Sequence, residues 1–329
     1  MTKTPGDLPR NQHYVPQFLL RRFSVAAGEE QVWAYDKKTG KIFRTNVRNV
    51  ASQRDYYNIP NIDDASLEPA LGAMEANAAA VVDRLLASES LKSLTADDRG
   101  ALALFAAAQM NRTTHFEEVI KFMAEGLRDH FRKMGAAEEL VQSSTRLSDE
   151  ERKILHLKSI LRADEYAALL AQMDWCLMRT EAVNPFWISD NPLLRHNSED
   201  FGPYGNLGLA LPGMEIYLPL SPTITLAMFD RLHVNRAQTA ARNATLAVLV
   251  DPPSPEIVAA AERLEEWAHR IEGGEVLEAI GDNVIFHNCL QIRWSERLLF
   301  SPVKNFDLAE KYLGEYPTFR DSGMRPNME

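Results

Sequence analysis

Apolar residues recur along this chain in two rhythms. Leu67, Leu71, Met74, Ala78, Val81 and Leu85 are spaced four and three apart, one stripe of an amphipathic helix. Thr95 ahead of Asp97 and Asp98 reads as an N-cap with acids in the first turn of a second helix. Further helices are expected over 114–134 and 148–173, with the polar stretch 135–146 between them read as a loop. Before these, Pro16 opens a short helix through Phe23. Val32–Tyr35 and Ile42–Thr45 flank a turn signal at 36–40 and read as a hairpin. Tyr56, Tyr57 and Ile59 read as another short strand.

From Asp174 onward the rhythm shortens. Strand-like runs appear at 175–180, 186–189, 216–218, 223–229 and 245–250, punctuated by Gly, Pro, Asn and Asp. Asp251-Pro-Pro-Ser-Pro leads into a helix through Arg270, which Gly273-Gly274 breaks. A helix over 276–293 and a strand over 298–300 close the pattern. This order predicts an α+β fold, with the N-terminal hairpin and helical region packed on a mixed, mainly antiparallel sheet with C-terminal helices. The expected organisation is a tail over 1–10 and one domain over 11–329, with a helical sub-region at 65–173 and a sheet-rich one at 174–329.

Composition narrows the classes. With 45% apolar and 25% charged residues, the chain can bury a core without staples. Cys176 and Cys289 give neither a disulfide framework nor zinc spacing, and read as buried small hydrophobes. The net charge of −10 argues against tight non-specific nucleic-acid binding, and the densest basic stretch is only Arg44, Arg48 and Arg54. The first residues lack an apolar signal core, and no apolar run reaches bilayer length. A soluble, cytoplasmic protein with no membrane partner is expected.

The chemistry lies in polar residues on apolar stripes. Leu102, Phe105, Gln109, Arg112 and Phe116 share one helix face, so Gln109 and Arg112 continue a buried surface. A buried guanidinium needs a partner. It can be a structural ion pair or a clamp for carboxylate or phosphate. Asn288 lies on the apolar side of the last helix, as a substrate contact or as a tie from strand to helix. Glu68 and Glu75 share a helix flank beside Leu71, where glutamates are usually solvated. Asp190 and Asn191 follow a buried strand, at a place suited to chemistry or to a turn before Pro192. His13, four residues before Gln17, shares an extended face with Val15.

These segments together resemble the family catalogued as domain of unknown function 4238. The likeness rests on His13-Tyr14-Val15-Pro16 with Phe18, Leu19, Arg21 or Arg22 and Phe23, then on Gln109 and Arg112-Thr113. Phe186 to Pro192 with Ser-Asp-Asn-Pro, Ile216 to Pro222 with Leu-Pro-Leu-Ser-Pro, and Asn288 ahead of Phe300-Ser301 continue it, and Glu68 and Glu75 resemble its acidic helix positions. Asn111 and Thr114 depart from the apolar residue and proline expected there, so the end of that helix is expected to differ. The resemblance implies that the polar sites belong together, and it supplies no reaction.

Three readings follow. In the first the protein is a hydrolase of a phosphate-containing substrate, nucleic acid or nucleotide. His13, Glu75 and Asp190 then serve as acid and base or as ligands of a divalent metal such as Mg or Mn, Arg112 stabilises charge, and Gln17, Gln109, Asn191 and Asn288 orient substrate. In the second the cluster is a non-catalytic pocket for a small anionic ligand or peptide. In the third it is architecture alone, with Arg112 paired to Asp190 or Glu75, Asn288 and Gln109 tying backbone ends, and the cluster sealed from solvent. All three expect His13, Glu75, Gln109, Arg112, Asp190 and Asn288 to converge.

Overall fold

The fold was read from a computed structural model, which describes residues 9–201, 208–247 and 255–321. It is α+β. In chain order the elements are β1 (Asn11–His13), α1 (Gln17–Arg21), β2 (Gln31–Asp36), β3 (Lys41–Asn46), β4 (Ser52–Arg54), α2 (Glu68–Ser88), α3 (Ala96–Asn111), α4 (His115–Lys133), α5 (Glu138–Thr145), α6 (Asp149–Leu161) and α7 (Ala163–Gln172). There follow β5 (Asp174–Arg179), β6 (Ile188–Ser189), β7 (Leu194–Asn197), β8 (Met214–Pro219), β9 (Ile224–Phe229), α8 (Arg231–Ala247), α9 (Pro255–Glu272), β10 (Val276–Glu278), α10 (Gly281–Trp294), β11 (Leu298–Ser301) and α11 (Asp307–Glu315).

A five-stranded sheet runs β10-β5-β9-β8-β7, antiparallel except where β10 joins β5 in parallel. Its central strands, Met-Glu-Ile-Tyr-Leu-Pro and Ile-Thr-Leu-Ala-Met-Phe, are buried at every position because both faces are covered. Ile216, Leu218, Leu226 and Met228 pack into the core shared with α2, α3, α6 and α7. Tyr217, Ala227 and Phe229 point the other way, against Val234, Ala268, Ile271 and Leu290 of α8, α9 and α10. A second sheet runs β3-β2-β11-β6, and β1 pairs with β4 alone.

Caps place the helices. Thr95 and Asp98 form a reciprocal capping box at α3, and Ser148 and Glu151 form another at α6. Several local expectations change. The helix expected over 148–173 is two, divided at Arg162, and α7 lies along α3. The stretch read as a loop contains α5, whose Val141 is fully buried. Tyr56 and Tyr57 are buried in a turn after β4 rather than in a strand. Residues 276–278 add a strand to the edge of β5 before α10 begins, because the exposed edge of β5 offers hydrogen bonds that periodicity does not reveal. Of the strand expected over 245–250, the first three residues end α8 and the rest lie outside the described residues. Cys176 is buried as expected, whereas Cys289 is only partly so.

Two buried histidines tie stability to pH. Burial lowers His156 to about 4, although its Nε2–H donates to the Asn111 carbonyl, and it lowers His287, packed on Phe186, to about 3. Both rings stay neutral in the fold and charge when it unfolds. Stability from this source is complete above the ordinary value of 6.5 and drains as pH falls towards 4. Each unit of depression corresponds to about 1.4 kcal/mol. Urea midpoints measured from pH 7 down to pH 4 are expected to fall, and His156→Gln is expected to flatten part of that slope.

Candidate functional site

α3 ends in the helical stripe that buries Leu102 and Phe105, so Arg112 arrives fully enclosed, with no exposed surface. Its Nη2 donates to Glu75 Oε1 at 2.7 Å and to the His13 carbonyl at 2.8 Å, and its Nε donates to the Tyr57 hydroxyl at 3.1 Å. Burial works against the charge, but Tyr57 and Glu75 outweigh it and hold the guanidinium firmly protonated. One turn back, Gln109 Nε2 donates to the Tyr14 carbonyl at 2.9 Å. Gln12 accepts from the Tyr57 amide at 2.5 Å and donates to Asn58. The β1 segment is thereby clamped between α3 and the turn that carries Tyr57.

Four of the expected residues therefore meet: His13, Glu75, Gln109 and Arg112. Glu68 and Glu75 lie on one flank of α2, as their spacing requires, and both act electrostatically on Tyr57. Burial, then the charge of Glu75, raises the Glu68 carboxyl above its ordinary value, against the pull of Arg112. Burial lowers the His13 imidazole, with Arg112 and Arg21 adding to the effect, while the carbonyls of Val47 and Arg48 work the other way.

The His13 tautomer follows from its neighbours. Gln17 Oε1 accepts from Arg21 at 2.6 Å, which fixes the amide orientation, so Gln17 Nε2 donates to His13 Nδ1 at 3.2 Å. The ring proton then sits on Nε2. Four buried polar atoms of this cluster make no well-aligned hydrogen bond among the described residues: His13 Nε2, which has only the Val47 and Arg48 carbonyls near it, Glu68 Oε2, Gln109 Oε1 and Arg112 Nη1. Two are donors and two are acceptors.

Asp190 and Asn288 belong elsewhere. Asp190 Oδ1 accepts from the Glu296 amide, and Oδ2 accepts from the Arg297 and Leu298 amides, each at 2.8 Å. The carboxylate does not meet Arg112, although Thr113 Oγ1 donates to the neighbouring Asn191 at 3.0 Å. Asn191 Nδ2 donates to the Trp294 carbonyl, so this residue ties loops together. Burial pushes Asp190 up to about 6, with the three amides and Lys37 opposing. Stability from Asp190 is thus present below its ordinary 3.8 and lost as pH rises through about 6. It opposes the histidine effect, and the two more strongly shifted imidazoles win. Asn288 Oδ1 accepts from the Trp187 amide and Nδ2 donates to the Pro185 carbonyl, tying α10 to the segment that leads into β6.

The expected metal set of His13, Glu75 and Asp190 does not assemble, because Asp190 is bound by backbone amides and Glu75 by Arg112. Among the described residues no three His, Cys, Asp or Glu side chains lie close enough to hold a metal ion. The basic stretch is neutralised, with Arg44 on Glu29, Arg48 on Glu30 and Arg54 on Asp55. No described helix is long and apolar enough to cross a membrane.

Sequence reasoning missed Gln12 and Tyr57. It also missed a buried pair beside the cluster, in which His115 Nδ1 meets Glu296 Oε1 at 2.5 Å. In the sequence Tyr57 reads only as part of a short strand, which gives no sign of its contact with Arg112. His115 and Glu296 stand 181 residues apart, and nothing local joins them.

No curated protein and no solved structure matches the chain. A family model, described as a protein of unknown function (DUF4238), matches residues 11–303, from β1 through β11. The matched span contains every residue of the Arg112 cluster and the Asp190 clasp, and the chain belongs to the DUF4238 family.

Proposed function

We propose that the Arg112 cluster is the site of a small hydrolase acting on a phosphate-containing substrate of nucleotide size. The observation that carries this reading is the set of four buried polar atoms around Arg112 that lack a well-aligned hydrogen bond. Each such atom costs roughly 1–3 kcal/mol unless something satisfies it, and native proteins tolerate them at functional sites. The Arg112 Nη1 hydrogens offer donors for phosphoryl oxygens. Glu68, raised by burial and by Glu75, is poised to move a proton to or from the attacking water. Glu75 is held on Arg112, and its side chain, 23% exposed, is where the cluster meets solvent. The net charge of −10 and the paired arginines of the hairpin favour a nucleotide over a polymer.

The test is phosphate release from nucleotides and aryl phosphate esters. The expected result is turnover by the wild type and a loss of about 10²–10⁴-fold in Glu68→Gln, at an unchanged thermal midpoint. A nucleotide-induced rise in midpoint without turnover would make the site a binding module. Neither turnover nor a rise would leave the cluster as architecture.

A further inference from the structure

A cleft of about 620 Å³ lies apart from the Arg112 cluster, where the loop before α3, the start of β5, the start of α8 and the turn after α9 meet. This is a ligand-sized volume. Its lining combines three features. Leu91, Val234 and Ile271 supply an apolar wall. Arg99 and Arg231 supply two guanidinium groups, and neither forms an ion pair among the described residues. Arg99 is held over the Trp175 ring at 4.3 Å and donates to the carbonyls of Ala171 and Met173. Asp174 and Glu272 supply carboxylates; that of Glu272 accepts from Gln238 Nε2 at 2.6 Å, and that of Asp174 makes no hydrogen bond or ion pair among the described residues.

The electrostatics agree with this geometry. Burial lowers Arg99, the charge of Asp174 opposes that shift, and Arg231 adds to it, so the two cations and the carboxylate sit within reach of one another. Burial raises Asp174, and both arginines oppose that shift. Charges of both signs, with no direct ion pair among the described residues, thus flank an apolar wall in one cleft. Such groups gain from a ligand that brings the complementary charges with it.

We propose that this cleft binds a small zwitterion with an apolar side chain, an aliphatic or aromatic α-amino acid. Its carboxylate would lie on Arg99 and Arg231, its ammonium on Asp174 and Glu272, and its side chain on Leu91, Val234 and Ile271.

The test is calorimetric titration of the full chain with L-leucine and L-phenylalanine. Two analogues lacking one charge, 4-methylvalerate and isoamylamine, serve as comparisons. The expected result is saturable binding of an amino acid, at least about tenfold tighter than either analogue. Arg231→Gln, at an exposed position, and Glu272→Gln are each expected to weaken it about tenfold or more. The proposal is overturned by no binding at millimolar ligand, by analogues that bind as tightly as the amino acid, or by equal affinity in Arg231→Gln.

Discussion

Asp190→Ala is expected to bring the fold close to its unfolding midpoint. The carboxylate is the acceptor for three successive backbone amides, at Glu296, Arg297 and Leu298. They lead into β11, the strand that joins β2 to β6. Each stranded amide costs roughly 1–3 kcal/mol, so the loss is about 3–9 kcal/mol. Domains of this kind hold only about 5–15 kcal/mol in all. Asp190→Asn keeps one oxygen and sets an NH₂ against amide donors, so an intermediate loss is expected. Urea denaturation curves of the three proteins check the order. Equal midpoints would show that the clasp is dispensable.

Arg112→Ala is expected to cost about 3–5 kcal/mol, the usual result of removing one partner of a buried pair. The loss frees the His13 carbonyl and the Tyr57 hydroxyl as well as Glu75, and leaves a void the size of a guanidinium. Glu75→Gln is expected to cost less, since that side chain reaches solvent. Arg112→Lys is expected to recover little, because an ammonium cannot satisfy partners spread along a planar fork. Thermal and urea midpoints of all three variants give the comparison. If Glu75→Gln proves as damaging as Arg112→Ala, the ion pair rather than the full set of contacts holds the segment.

What could be read from the chain alone follows from how far each interaction reaches. The stripe of Leu102, Phe105, Gln109 and Arg112 was legible because a helix repeats within one turn, and burial of a cation then demanded a partner. The flank of Glu68 and Glu75 was legible for the same reason. The choice of Glu75 over Asp190 was not, since both are acids and nothing local fixes distance. Asp190 stands more than a hundred residues from the amides it binds, and backbone amides leave no mark in a sequence. Asn288 was correctly placed on the buried side, and its role as a tie, here between α10 and the segment leading into β6, was one of two open readings. The strand at 276–278 was hidden because it owes its form to the edge of β5, not to its own residues.

The sheet order β3-β2-β11-β6 also sets a timetable for synthesis. β2 is made within the first forty residues, but its second neighbour, β11, begins only at Leu298. At about 5–20 residues per second, the ribosome delivers that neighbour on the order of tens of seconds later. Through that interval one edge of β2, carrying Val32, Ala34 and Tyr35, has no strand beside it. Such an edge is a template for pairing between nascent chains. Release of the polypeptide before β11 emerges would therefore yield aggregates rather than a smaller folded protein.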